Sequence, residues 1–233
     1  MKPSHAFRFA YRLPLLLWHV AIDLPITLVF MLGPFHRLRV GGEPLDHRMI
    51  RWWQGGLMRI FGFRMHRRGT PLPGAMLFVA KREISKWPMV GWLASQGETI
   101  FHERGSSESM GGVLHEMLAR LRAGRSVGVF PEGRTRNGHG IGPFHARIFL
   151  AAVEAGVRVQ PVALRYGPRA SAQTVVAFAP GESFAGNFLR LLGEPARDTE
   201  VWFLDPIDTS DAGGRRRIAE TARDRIVAAM ESP

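Results

Sequence analysis

Ser126-Val127-Gly128-Val129-Phe130-Pro131-Glu132-Gly133 is a short apolar run that stops on a proline, a carboxylate and a glycine. A run of this kind bounded by turn residues reads as a buried strand, and the turn after it then falls at a carboxyl end of the sheet, where open α/β folds place their ligands. Proline fixes the turn, glycine lets backbone approach a ligand closely, and Glu132 emerges beside Arg134 and Arg136. Taken alone, the same turn also describes a plain strand end carrying a surface ion pair of little energetic value.

Immediately upstream, Met110, Val113, Leu114, Met117, Leu118 and Leu121 form one helical stripe that Ala123-Gly124 ends, which predicts a helix over residues 107–123 packed on the sheet. After the break Gly69-Thr70-Pro71-Leu72-Pro73-Gly74, apolar runs alternate with longer amphipathic ones. That is the pattern of strands joined by crossover helices, and it predicts an α/β fold with a mostly parallel or mixed sheet flanked by helices. Strands are expected at 75–80, 99–102, 126–130, 159–164, 174–179 and 200–204, and helices at 85–95, 107–123, 144–155, 184–192 and 212–230.

The first 68 residues read as a separate membrane-associated helical module, leaving 69–233 as the α/β domain. Residues 14–33 are long enough for a bilayer, yet Asp23 near their middle would cost about 2.5–3.5 kcal/mol on the insertion scale, and His19 and Pro25 sit beside it. A bent or re-entrant segment is therefore expected. Lys2, Arg8 and Arg12 precede the stretch and Arg37, Arg39, Arg48 and Arg51 come after it, so neither flank is the positive one and both ends are expected on the cytoplasmic face. From His47 to Met65, Met49, Trp53, Leu57 and Ile60 fall at helical spacing with Trp52 and arginines alongside, suiting either a headgroup-layer helix or one that covers the sheet. His19 and Asp23 are four residues apart and are read as satisfying each other at the bend rather than as a catalytic pair.

Composition narrows the partner. Lys and Arg number 31 against 20 Asp and Glu, a net charge of +11, so a polyanionic partner is expected. Nucleic acid finds no recognition motif, zinc spacing or aromatic RNA signature, whereas the apolar N-terminus favours an anionic bilayer surface. With no cysteine, disulfides, thiol catalysis and Cys-ligated zinc are excluded.

Phe130-Pro131-Glu132-Gly133 resembles the third motif of the glycerolipid acyltransferase superfamily, and three further pieces keep the family's order. Thr99-Ile100-Phe101-His102-Glu103-Arg104-Gly105 resembles the second motif, Val159-Gln160-Pro161-Val162-Ala163-Leu164 the fourth, and Lys81 opens a stretch through Trp92 common in the family. The order and spacing, over most of residues 75–165, are more specific than any one piece. The resemblance implies transfer of an acyl chain from acyl carrier protein or coenzyme A to lysophosphatidate, giving phosphatidate, at the cytoplasmic face of a bacterial inner membrane. Members acting on lyso-ornithine lipid share the motifs. Carried over by position, Arg104 would grip phosphate, Glu132 and Gly133 with Phe130 and Pro131 would shape the headgroup site, Lys81 would assist, and Pro161 would border the acyl groove. Neither a metal nor a redox cofactor is implied, and an acidic carrier protein becomes an expected partner.

The family's first motif, Asn-His-x-Ser-x-x-Asp, supplies a histidine base and an aspartate that orients it. None of the nine histidines here has an aspartate five positions on. Residues 75–80 look like the strand before that motif, while Lys81 onward looks like what comes one helix and strand later, as though about 20–25 residues, one βα unit, had been lost. A silent homologue, an altered gene, or an enzyme recruiting His145 or His102 instead would each explain this. A catalytically inert lysophospholipid- or carrier-binding protein is the alternative function.

Overall fold

The computed structural model describes residues 3–31, 35, 38–80, 107–132, 140–210 and 213–232. In chain order the elements are α1 (Pro3–Trp18), a π-helical turn (His19–Asp23), α2 (Leu24–Met31), β1 (Arg39–Val40), β2 (Glu43–Pro44), α3 (Leu45–Ile60), β3 (Phe63–Arg68), β4 (Leu77–Ala80), α4 (Ser107–Arg122) and β5 (Val127–Val129). A 3-10 turn (Ala146–Phe149) leads into α5 (Leu150–Ala155), then β6 (Val159–Tyr166), α6 (Gln173–Val176), α7 (Phe184–Gly193), β7 (Arg197–Phe203) and α8 (Arg215–Glu231). Two compact units result, Met1–Met65 with Ala185–Thr199, and His66–Phe184 with Glu200–Pro233.

In the first unit, α1, the π turn and α2 form one helix, Ser4–Met31, whose 28 residues, with an 18-residue stretch of mean hydropathy 1.8, are long and apolar enough to cross a membrane. Of the bent or re-entrant forms expected, the described residues show no reversal: the chain runs on as one helix with a π-helical turn within it. Pro25 lacks an N–H and would break an α-helical ladder, but a π turn just before it, with the Leu24 N–H on the His19 carbonyl, absorbs the mismatch without reversing the chain. His19 is buried, its Nδ1 2.6 Å from Asp23 and its Nε2 2.9 Å from the Trp53 carbonyl, with its ring stacked on Trp53. Both ring nitrogens are thus occupied, as the reading of a mutually satisfied pair expects. Gly56 is what admits the ring, since a Cβ there would lie 2.6 Å from His19 Cε1.

Arg8 and Arg12, one turn apart, do not serve as flanking surface charge. Arg12 is 3% exposed and donates to the carbonyls of Leu192 at 3.0 Å and Glu194 at 2.7 Å, while Arg8 donates to Gly193 at 2.7 Å. They cap the otherwise unpaired carbonyls at the end of α7, the position where a helix dipole favours cations. Leu16, Phe61, Leu191 and Leu192 close the small core beside them.

Residues 47–65 were expected as one helix, but α3 stops at Ile60 and a strand begins at Phe63. Gly62 sets the break at φ +78°, where a Cβ would be 3.0 Å from the Ala196 backbone. β3 escaped notice because Phe63-Arg64-Met65-His66-Arg67-Arg68 is mostly exposed and basic, the chemistry of an edge strand rather than of a buried one.

The sheet runs β3-β7-β6-β4-β5 and is mixed. β4 pairs in parallel with both β5 and β6, and Val159 bridges Ile207 in the antiparallel sense as the chain returns past β6. In the second unit, Leu77, Met117, Phe149, Val159, Ile218 and Ile226 centre the core, so the stripe read on 107–123 does face apolar partners, as does the helix expected at 212–230. The strand expected at 174–179 is instead the short helix α6. Its β-branched run Thr174-Val175-Val176 is overruled by Gln173, which is buried and bonds back to the end of β6, donating to the Leu164 carbonyl at 2.8 Å and accepting from the Tyr166 N–H at 3.2 Å. The helix expected at 85–95 and the strand at 99–102 lie outside the described residues.

Candidate functional site

The parallel register levels three strands. Leu77 stands opposite Val127 and Val159, and Val79 opposite Val129 and Pro161. β4 ends at Ala80 and β5 at Val129, so Phe130, Pro131 and Glu132 leave the sheet at its carboxyl edge, where the sequence put them. Phe130 is 46% exposed, whereas Pro131 and Glu132 are buried.

Glu132, only 4% exposed, accepts the Gly142 N–H at 3.0 Å through Oε2. The other face of that same peptide unit, the Ile141 carbonyl, accepts Arg223 Nη2 at 2.8 Å, and Arg223 Nε donates to the Gly142 carbonyl at 3.0 Å. One peptide group is therefore held between a carboxylate and a guanidinium, and each charge polarises it toward the other. A fourth tie, from the His145 N–H to the Pro131 carbonyl at 2.9 Å, pins the returning chain to the strand-end turn. Consequently the segment from 140 to 145 is fixed onto the turn 131–132 at two points, Gly142 and His145, and onto α8 through Arg223.

His145, expected as a substitute base, lies beside this turn with its ring exposed; among the described residues that ring makes no hydrogen bond to an aspartate or glutamate. Pro161 is buried in β6 opposite Val79, and its carbonyl accepts the Leu204 N–H at 3.0 Å. Its neighbour Gln160, 2% exposed, donates to the Thr70 and Leu204 carbonyls at 3.2 Å each and accepts from the Leu72 N–H at 3.1 Å, a side-chain amide in place of a ladder. Lys81, His102, Arg104 and Gly133 lie outside the described residues. Among those described, no group of three or more His, Asp or Glu is placed to hold a metal ion.

Arg223, Ile141 and Gly142 were not anticipated. Nothing in sequence separates Arg223 from Arg215, Arg216, Arg217 and Arg225 on the same helix; only its position opposite the loop does. A Gly142-Pro143 pair 10 residues from Glu132 gives no hint in sequence that its amide meets that carboxylate.

A family model described as Acyltransferase matches residues 47–165. A lyso-ornithine lipid O-acyltransferase from Pseudomonas aeruginosa is 32% identical over 209 residues, covering 80% of each chain. Another lyso-ornithine lipid O-acyltransferase, from Brucella abortus, is 28% identical over 91% of each chain. A 1-acyl-sn-glycerol-3-phosphate acyltransferase from Neisseria gonorrhoeae is 39% identical over 89 residues, 38% of this chain and 35% of that protein. The crystal structure of the 1-acyl-sn-glycerophosphate acyltransferase from Thermotoga maritima has the same fold, with a TM-score of 0.61 over 96% of each chain at 16% identity.

Proposed function

Because the chain belongs to the Acyltransferase family, we propose that it takes a single-tailed lipid at the carboxyl edge of its sheet, for transfer of an acyl chain to that lipid's hydroxyl. The carrying observation is the Glu132 turn, a carboxylate buried at 4% exposure and locked through Gly142 to Arg223 at a sheet edge built for ligands. Lysophosphatidate and lyso-ornithine lipid are the candidate acceptors, being the substrate types that the relatives' names carry. In transfer, the acceptor hydroxyl oxygen attacks the acyl carbonyl, its proton passes to a base, and the thioester carbon–sulfur bond breaks to release the thiol of acyl carrier protein or coenzyme A. This chemistry requires neither metal nor redox cofactor. In this proposal Arg104 and Lys81 meet the acceptor's anionic group, Glu132, Gly133, Phe130 and Pro131 shape its seat, and Pro161 borders the acyl groove.

The base is the weak link. No histidine has an aspartate five positions on, and removing a general base alone costs about 10²–10⁴ in rate while leaving substrate contacts in place. Slow turnover with retained binding is the consequence, and binding without turnover is the second reading that the same observation favours. The N-terminal helix and the charge of +11 support seating on an anionic bilayer, on its cytoplasmic face.

Purified protein with labelled acyl donor and each lysolipid, beside a version carrying the Asn-His-x-Ser-x-x-Asp segment, tests the proposal. Weak transfer by the chain itself and strong transfer by the restored one is the expected result. No transfer and no lysolipid binding by either would sink the proposal; full-rate transfer by the unaltered chain would overturn the missing-base argument and direct attention to His145 and His102.

A further inference from the structure

The turn after β6 carries two successive non-glycine residues in the left-handed region, Arg169 at φ 51° and Ala170 at φ 57°. Each such residue is disfavoured by about 1–2 kcal/mol, and strain of this kind persists only where surrounding structure enforces it. Here three backbone bonds do so, from the N–H groups of Ala170, Ser171 and Ala172 to the carbonyls of Gly167, Pro168 and Tyr166. The strain places Arg169 at the carboxyl end of β6, on the same sheet edge as the Glu132 turn.

Arg169 lines a groove of about 300 Å³ with Gly140, Ile141 and, from the C-terminal end of α8, Val227, Met230 and Glu231. Arg169 and Glu231 bring opposite charges to this one groove, yet among the described residues neither side chain makes an ion pair or hydrogen bond, with the other or with a third group. The rest of the lining is mixed, with Ile141, Val227 and Met230 apolar and Ser171, Gln173 and Thr174 polar. Ile141, which lines the groove, shares with Gly142 the peptide that Glu132 holds, so the groove adjoins the proposed acceptor seat.

We infer that this groove is a subsite for a zwitterionic headgroup, Arg169 receiving a carboxylate and Glu231 an ammonium group on a short alkyl arm. This rests on the lysolipid reading above and deepens it, by favouring an amino-acid headgroup over a phosphate. A phosphate would need cations alone, and the Glu231 carboxylate would repel it. A headgroup with one charge of each sign meets both side chains, and Ile141, Val227 and Met230 of the same lining offer its methylenes apolar contact. The groove's volume suits a headgroup of this size and not a whole lipid.

The test is equilibrium binding of the full chain to micelles doped with lyso-ornithine lipid or with lysophosphatidate, for the wild type, Arg169→Gln and Glu231→Gln, with unchanged thermal unfolding as the fold control. Each substitution should weaken lyso-ornithine lipid binding about tenfold or more, as loss of a charged hydrogen bond does. Glu231→Gln should leave lysophosphatidate binding unchanged or tighter, a sign that a general loss of structure would not give. Wild-type binding of lysophosphatidate alone, or lyso-ornithine lipid binding that moves less than about twofold in either variant, overturns the subsite and leaves the wider reading standing. Saturable binding of neither lipid overturns both. Free ornithine, added as competitor, should displace the lipid only weakly; binding as tight as the lipid's would refute a lipid headgroup as the ligand.

Discussion

Glu132 and Arg223 each hold one side of the Ile141–Gly142 peptide, and the consequences of changing either differ in kind. Replacing Arg223 with Met leaves two carbonyls without their charged donor, which should cost about 1–3 kcal/mol of stability and speed hydrogen exchange at the Gly142 amide. Unchanged exchange there would show that the guanidinium does not hold the loop. Glu132→Gln keeps an oxygen for the Gly142 N–H and removes the charge, so folding should survive while lysolipid binding falls. At this scale the sequence identified Glu132 by its place after a strand, because turn chemistry is local. It held no sign of Arg223, 91 positions along the chain, because that contact depends on how α8 packs.

Whole elements show where local reading succeeds and where packing overrules it. The stripe on 107–123 became α4 almost at the expected bounds, since an amphipathic face has only one way to bury itself, and the helix expected at 212–230 became α8 from Arg215 to Glu231. The 174–179 run became a helix because Gln173 anchors it to β6, and the basic edge strand β3 carried no apolar signal. The π turn is the sharpest test of element-level packing. Gly56→Ala would drive a methyl into His19, which stands 2.6 Å from the added carbon, and overpacking of this kind costs about 1–3 kcal/mol. A melting temperature equal to wild type would mean that the ring is not seated as described. Arg12→Met should cost at least about 2 kcal/mol, since it strands the carbonyls of Leu192 and Glu194.

For the molecule as a whole, charge and hydropathy foretold a basic protein with an apolar N-terminus, and the α/β class came from alternation alone. The use of the N-terminal arginines was hidden, because a flanking charge and a helix cap look identical in sequence. That difference changes how membrane seating should be tested. Deleting residues 1–40 would remove Arg12 and Leu16 from the first unit's packing, confounding unfolding with loss of binding. Leu17, Trp18 and Ile22 are exposed, at 61%, 62% and 41%, and are the better targets. Replacing each with Ser should weaken flotation with anionic vesicles about tenfold or more while leaving thermal unfolding unchanged; undiminished flotation would place the bilayer contact elsewhere.

The central claim is that a single-tailed lipid is held at the carboxyl edge of the sheet beside Glu132. Equilibrium binding of lysophosphatidate and lyso-ornithine lipid to the full chain, compared between wild type and Glu132→Gln, addresses it most directly. Saturable binding of at least one lipid by the wild type, lost in the folded variant, is predicted. Equal binding by the two proteins, or none by either, would contradict it.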